Sequence, residues 1–297
     1  MRSAPIAASR TDQGLSIVLW CGVACILVTG IAFSWNPTPL AQALAALFIV
    51  CALAHAALYY RASSALALFV VCLAITFAME NIGSLTGFPF GRYHFEVDAG
   101  LPHIGIIPLI VGPLWFGGGY FSWVVACVLL DEADRRLDRV FDLLALPTVA
   151  AFVMTQWDLV MDPPNSTIAK VWIWHDGGAV FGVPLSNFLG WLLTSWLLFL
   201  AFALYLRGRP PVQPSFAMSR AKLQAIAILF YLSSGLTHLV PWMIGQSGEV
   251  VDAAGHAWRI ADIRESTVAI MLFTMLFTAT LAAIRLCGRA RDGANAG

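Results

Sequence analysis

Charged side chains are scarce in this chain of 297 residues: Asp, Glu, Lys and Arg make up 11% of it, against 59% hydrophobic residues. Soluble domains carry roughly 25% charged residues, so a chain this poor in charge lacks the surface needed to stay in water. The bilayer is its expected solvent. Lys plus Arg equals Asp plus Glu at 17 each, which removes any electrostatic case for nucleic acid or an acidic partner. Histidines are few, six in all, and none stands in the H-x-x-x-H or H-x-x-H-H spacing of a membrane di-iron hydroxylase or desaturase. No G-x-G-x-x-G opens a helix after a strand, and neither a P-loop nor a G-x-S-x-G occurs, so nucleotide cofactors and serine hydrolysis lack support. The six cysteines (Cys21, Cys25, Cys51, Cys72, Cys127 and Cys287) fall in or beside apolar stretches without a C-x-x-C pair, and read as small buried hydrophobes.

What the chain does have is a series of apolar runs long enough to cross a bilayer, near 15–34, 39–60, 64–82, 104–130, 140–161, 183–206, 220–244 and 267–287. The expected class is therefore all-α: a polytopic integral membrane protein of about eight transmembrane helices. One helical domain (15–287) would lie between short tails (1–14 and 288–297). The first run, preceded by Arg2 and Arg10, is too long for a signal-peptide core and lacks a clear A-x-A site, so it reads as a retained helix. The fourth carries Pro108 and Pro113, and is expected to be kinked or preceded by a re-entrant piece.

Eight spans put both termini on one side, where 13 of the 17 basic residues fall; only Arg92, Lys170, Arg259 and Arg264 lie on the other. By the positive-inside bias both termini are cytoplasmic, in a bacterial cytoplasmic (inner) membrane. The outer face then holds three long loops, 83–103, 162–182 and 245–266. On the cytoplasmic side, Asp131–Arg139 and Arg207–Ser219 read as solvated linkers.

Ionisable groups at membrane depth are costly, which singles out Glu80 near the end of the third run. After it comes a Gly- and Pro-rich segment that sets Arg92, Tyr93 and His94 among aromatics. Glu80 and Arg92 can be read as reacting groups or as an ion pair closing a loop. The fifth run ends Gln156-Trp157-Asp158-Leu159-Val160-Met161-Asp162-Pro163-Pro164, which on a helix puts Asp158 and Asp162 one turn apart on one face. Two such carboxylates repel unless one is protonated or a cation lies between them. Asp162 alone can equally be a polar cap at the membrane edge. The next loop brings Trp172, Trp174, His175 and Asp176, then Asn187 and Trp191; an interfacial belt accounts for Trp191 well and for the Trp172/Trp174 pair only in part. His238 in the seventh run is either a bundle histidine bonded to a neighbour or a functional group. His55, with no acidic companion, reads as structural, and Arg259 and Arg264 are minor candidates. A polyprenyl transferase would use Asp158 and Asp162 to hold Mg²⁺ on a diphosphate. Its second acidic cluster would have to be Asp131 to Asp142, on the opposite face.

Four stretches together resemble the CruF-like carotenoid hydratases, the family of the bisanhydrobacterioruberin hydratases, over roughly residues 40 to 285. They are Glu80-Asn81-Ile82-Gly83 through Thr86-Gly87-Phe88-Pro89-Phe90-Gly91-Arg92-Tyr93-His94, Trp157 to Pro163, Trp172-Ile173-Trp174, and Phe181 through Trp191. The resemblance implies a hydro-lyase of carotenoid biosynthesis that hydrates the terminal (1,2 or 1',2') double bond of an acyclic end group to a tertiary alcohol.

Hydrating such an alkene needs a proton on the less substituted carbon, then water on the tertiary cation. A carboxylic acid kept protonated in an apolar site can supply that proton. Asp158 is preferred and Glu80 is the alternative, since Arg92 or His94 is placed to hold Glu80 ionised. The partner carboxylate (Asp162 among them), His94 or His175 would take the proton from water. Tyr93, Trp157 and Trp174 would shelter the cation, and Arg92, Trp172, Asn187 and His238 complete the expected substrate contacts. No metal or organic cofactor is needed. The expected partners are the carotenoid, water, membrane lipid and other enzymes of carotenoid biosynthesis. A cyclase would share the first step but add no water, and a proton-coupled transporter or lipid-binding protein would leave the pigment unchanged.

Overall fold

The protein is described from a computed structural model over residues 37–96, 102–210 and 219–295, with a few isolated positions between 14 and 22. The expected first span and most of the Arg207–Ser219 link lie outside these residues.

Among the described residues the chain is mainly helical, and six helices are long and apolar enough to cross a membrane. In chain order the helices that frame the site are α1 (Pro37–Tyr60), α2 (Ala62–Thr86), α3 (Val111–Leu129), α4 (Val140–Asp162), α5 (Leu185–Leu206) and α6 (Arg220–Leu236). A short helix, α7 (Leu239–Ile244), extends the sixth. Helix α8 (Ile260–Met271) runs through a widened turn into α9 (Phe277–Asn295). The outside of this bundle is apolar: Leu85, Phe141, Leu185 and Phe273 all stand exposed. A soluble protein does not carry such a belt, and lipid-facing helices require one.

Helix α3 is the hub, with nearly all its side chains buried. Packed against it are α1, α2, α4 and α6, while α4 and α5 run antiparallel along most of their length.

Three boundaries differ from the hydropathy reading. The fourth run does not begin as helix: His103–Ile104 and Ile107–Pro108 pair as a small hairpin whose turn the Asn81 side chain braces, donating to the Ile104 carbonyl (3.1 Å) and accepting from the Ile106 amide (3.0 Å). Helix α4 continues past Asp162, because Pro163 and Pro164 lack the N–H that would close the normal turn. The backbone widens instead into a π-turn over Pro163–Ile168. Helix α8 starts at Ile260, seven residues before the apolar run, since Asp262, Arg264 and Glu265 are compatible with helix but lower the hydropathy.

The three long loops converge at one end of the bundle. Strand Tyr93–Phe95 pairs antiparallel with Trp172–Trp174, and a second hairpin joins Glu249–Val251 to Ala257–Arg259. The two pieces touch through Lys170 Nζ, which donates to the Val251 carbonyl (2.7 Å), and through Phe181, whose ring meets Trp258 edge-on at 5.4 Å.

The opposite end is closed by charge. Asp131–Arg139, expected as a solvated linker, is instead partly interior. Arg220 and Arg289 descend on it from α6 and α9, pairing with Glu132 and Asp134. Burial works to raise the Glu132 carboxyl, but Arg220, Arg135 and Arg289 outweigh it and hold the group below its usual range.

Candidate active site

The strand pair Tyr93–Phe95 and Trp172–Trp174 works as a two-sided lid, because side chains alternate across a strand. Tyr93 and Trp174, directly opposite in register, point inward and are buried, with ring centres 4.9 Å apart. Arg92, His94, His175 and Asp176 point outward into the exposed layer. There Arg92 grips Asp176 with both Nε (2.9 Å) and Nη2. Their hydrogen bonds raise the Arg92 guanidinium and lower the Asp176 carboxyl, but the pair is solvated and contributes little to stability.

Beneath the lid three carboxylates gather from two helices. Glu80 of α2 accepts from Trp115 Nε1 (2.8 Å) at one oxygen and from the Tyr93 hydroxyl at the other. Burial first, and the neighbouring Glu80 second, push the Tyr93 phenol well above its ordinary range, so Tyr93 stays protonated and is the donor. Asp162 of α4 accepts from Trp172 Nε1 (2.8 Å) and Trp174 Nε1 (3.2 Å) at Oδ1, and from Asn187 Nδ2 (2.6 Å) at Oδ2. The same amide nitrogen donates to Asp158 Oδ2 at 2.8 Å. Only an NH₂ group can serve two carboxylate oxygens, so the Asn187 amide has a single orientation. Asp158 Oδ1 alone among these six oxygens is buried without a hydrogen-bond partner in the protein. All three acids lie within electrostatic reach of one another.

Aromatic rings line this cluster. Trp115 stacks on Trp191 at 3.8 Å and 11°, and Trp157 tilts against Trp191 at 5.8 Å. Phe90 is wedged between α2 and α5, with its ring edge toward Trp115 at 6.4 Å. The close approach requires glycine. A Cβ on Gly190 would stand 2.5 Å from Phe90 Cδ1 and 3.1 Å from the Phe90 Cα, and backbone cannot give way as a side-chain tip can. Gly190→Ala is therefore expected to destabilise the protein by about 1–3 kcal/mol, read as a lowered midpoint in thermal unfolding in detergent.

Glu80, Tyr93, Asp158, Asp162, Trp172, Trp174 and Asn187 thus share one buried region, and Trp157 borders it through Trp191. His94 and His175 are not brought to the carboxylates. They meet each other on the outer face, Nδ1 to Nε2 at 2.7 Å. Nor does Arg92 pair with Glu80, because strand alternation sends it outward to Asp176. His238 sits half-buried at the joint of α6 and α7, and among the described residues it is not brought to the three acids. His55 is structural: Nε2 donates to the Leu223 carbonyl (2.8 Å), leaving Nδ1 to accept from Tyr120 (2.6 Å). Two tryptophans enter the cluster in ways the sequence did not show. Trp191, read as part of an interfacial belt, is buried and stacks on Trp115. Trp115 carried one signal that could have found it, an N–H donor deep in an apolar run with no partner nearby in sequence.

The pattern for carotenoid biosynthesis proteins matches residues 38–254, which hold all three acids and every aromatic just described. The chain belongs to that family. Within it, the chain is similar to a bisanhydrobacterioruberin hydratase of Haloarcula japonica, 30% identical over 132 residues. That alignment covers 43% of this chain and 41% of the relative, so the chain is matched over about two fifths of the relative's length. No solved structure matches. Family membership makes this a carotenoid biosynthesis protein, and its described residues include six helices of the membrane-spanning kind.

Proposed function

We propose that this protein is a carotenoid hydratase that adds water across the terminal double bond of an acyclic end group, using Asp158 as the acid. The observation that carries the reading is the distribution of donors. Asp162 is met by three N–H groups and Glu80 by one N–H and one O–H, the complement of ionised carboxylates. Asp158 receives one, and its bare Oδ1 is the position where a proton can sit and face an apolar substrate.

In the first step the O–H bond at Asp158 Oδ1 breaks, and its proton forms a C–H bond with the less substituted alkene carbon. The π electrons supply that bond and leave a tertiary cation. The rings of Trp115, Trp191, Trp157, Tyr93 and Trp174 shelter it, each face worth about 0.5 to 2 kcal/mol. Water then attacks the cation, and Glu80, whose oxygens retain free lone pairs, takes the proton the new C–O bond releases. The proton returns to Asp158 through water, leaving no net change in the enzyme. Asn187 positions both aspartates, and neither His94 nor His175 enters the scheme.

The finer topology belongs to the same proposal. One helical domain over 15–287 with eight spans puts both termini in the cytoplasm of a bacterial inner membrane, and the lid on the outer face. A carotenoid is about as long as the hydrocarbon core is thick, roughly 30 Å, so its tip would reach the lid. Expression in a bacterium that accumulates an acyclic carotene tests the activity: the pigment should gain the mass of one water per modified end. An isomer of unchanged mass would make the protein a cyclase, and an untouched pigment would remove the enzymatic reading.

A further inference from the structure

The outward side of the lid carries a constellation that hydration does not use. His94 Nε2 lies 3.1 Å from Glu96 Oε1, and because a carboxylate accepts, Nε2 carries the hydrogen and Nδ1 keeps its lone pair. That lone pair faces His175 Nε2 across 2.7 Å, with ring centres 4.9 Å apart. A carboxylate behind one imidazole nitrogen, with the other presented to a second imidazole, is the arrangement that orients histidine toward a metal. Two imidazole nitrogens bound about 2.0 Å from one ion are held roughly 2.8 to 3.3 Å apart for bond angles between square and tetrahedral. Opening the observed gap by a few tenths of an ångström, and moving the His175 hydrogen to Nδ1, makes room for the ion.

We propose that His94 and His175, oriented by Glu96, bind one late divalent transition-metal ion such as Zn²⁺ or Ni²⁺ on the outer face of the lid. Among the described residues no set of three His, Cys, Asp or Glu side chains forms a complete cage, so water fills the remaining positions. Both histidines are exposed, and Arg92, two residues before His94, is already paired with Asp176. The ion would tie together the two strands whose inward residues, Tyr93 and Trp174, donate to Glu80 and Asp162.

The test is calorimetric titration of tag-free, detergent-purified protein with Zn²⁺ and Ni²⁺, with no carotenoid present, so its result is independent of whether the protein hydrates anything. One ion per chain is expected, with a rise of a few degrees in unfolding temperature at saturation. His94→Gln and His175→Gln should each weaken binding at least roughly tenfold, and Glu96→Gln should weaken it by about tenfold while leaving both ligands in place. His256→Gln, on the other hairpin, should bind as wild type does. Equal binding by wild type and both His94→Gln and His175→Gln overturns the site, as does no binding by wild type up to about millimolar metal.

Discussion

Asp158→Asn should lower the rate of water addition by about 10²- to 10⁴-fold while leaving the protein folded, the loss typical of a missing general acid. The asymmetry between the two aspartates makes this substitution informative. At position 158 an amide oxygen can still accept from Asn187, and its NH₂ can occupy the space where Oδ1 now has no partner. No hydrogen bond of the protein is lost, and the acidic proton is gone. At position 162 both oxygens are engaged by N–H donors, so Asp162→Asn must turn an NH₂ toward either the two indoles or the Asn187 amide. That variant should lose stability as well as activity, by about 1–3 kcal/mol for each donor left unpaired in the interior. Glu80→Gln should reduce the rate while retaining the Trp115 bond. The measurement is turnover of an acyclic carotene in detergent, read from pigment mass, beside thermal unfolding of the same preparations. Full activity in Asp158→Asn would transfer the acid role away from this residue.

Six described helices of membrane-spanning length were legible in sequence because a bilayer imposes both a length and a hydropathy on whatever crosses it. Their ends were less so, for reasons particular to each place. Residues 104 to 108 are apolar enough to extend the fourth run, yet the turn at Gly105, braced by Asn81, folds them into a hairpin with His103. Asp162 could be paired with Asp158 from spacing alone. The pairing of Tyr93 with Trp174 could not, because the strands are three residues long and lie about 80 residues apart, beyond any local pattern. Missing that register is what led His94 and Arg92 to be drawn toward Glu80. They sit one residue either side of Tyr93, and alternation sends neighbours to opposite faces.

The same blindness to distant partners hid the charge network at the other end of the bundle, where removing Arg220 should have the largest effect on stability. Its side chain and that of Asp134 are 10% and 1% exposed, 2.5 Å apart. Asp134 Oδ2 also accepts from the Tyr60 hydroxyl at 2.6 Å, and the Tyr60 oxygen in turn accepts from Trp123 Nε1 at 2.9 Å. The Arg220 guanidinium lies over the Tyr59 ring at 4.1 Å and reaches Glu132 at 3.2 Å. Arg220→Met keeps much of the aliphatic contact but strands a carboxylate in the interior, which costs about 3–5 kcal/mol. Arg220→Lys should recover only part, because a single ammonium cannot replace a planar fork that serves two carboxylates. Adding Asp134→Asn to Arg220→Met should restore more stability than either change predicts alone, since the buried charge that made the first change costly is then absent. Unfolding midpoints of the two single variants and the double variant in one detergent measure this coupling, and strictly additive losses would mean that the two groups do not depend on each other.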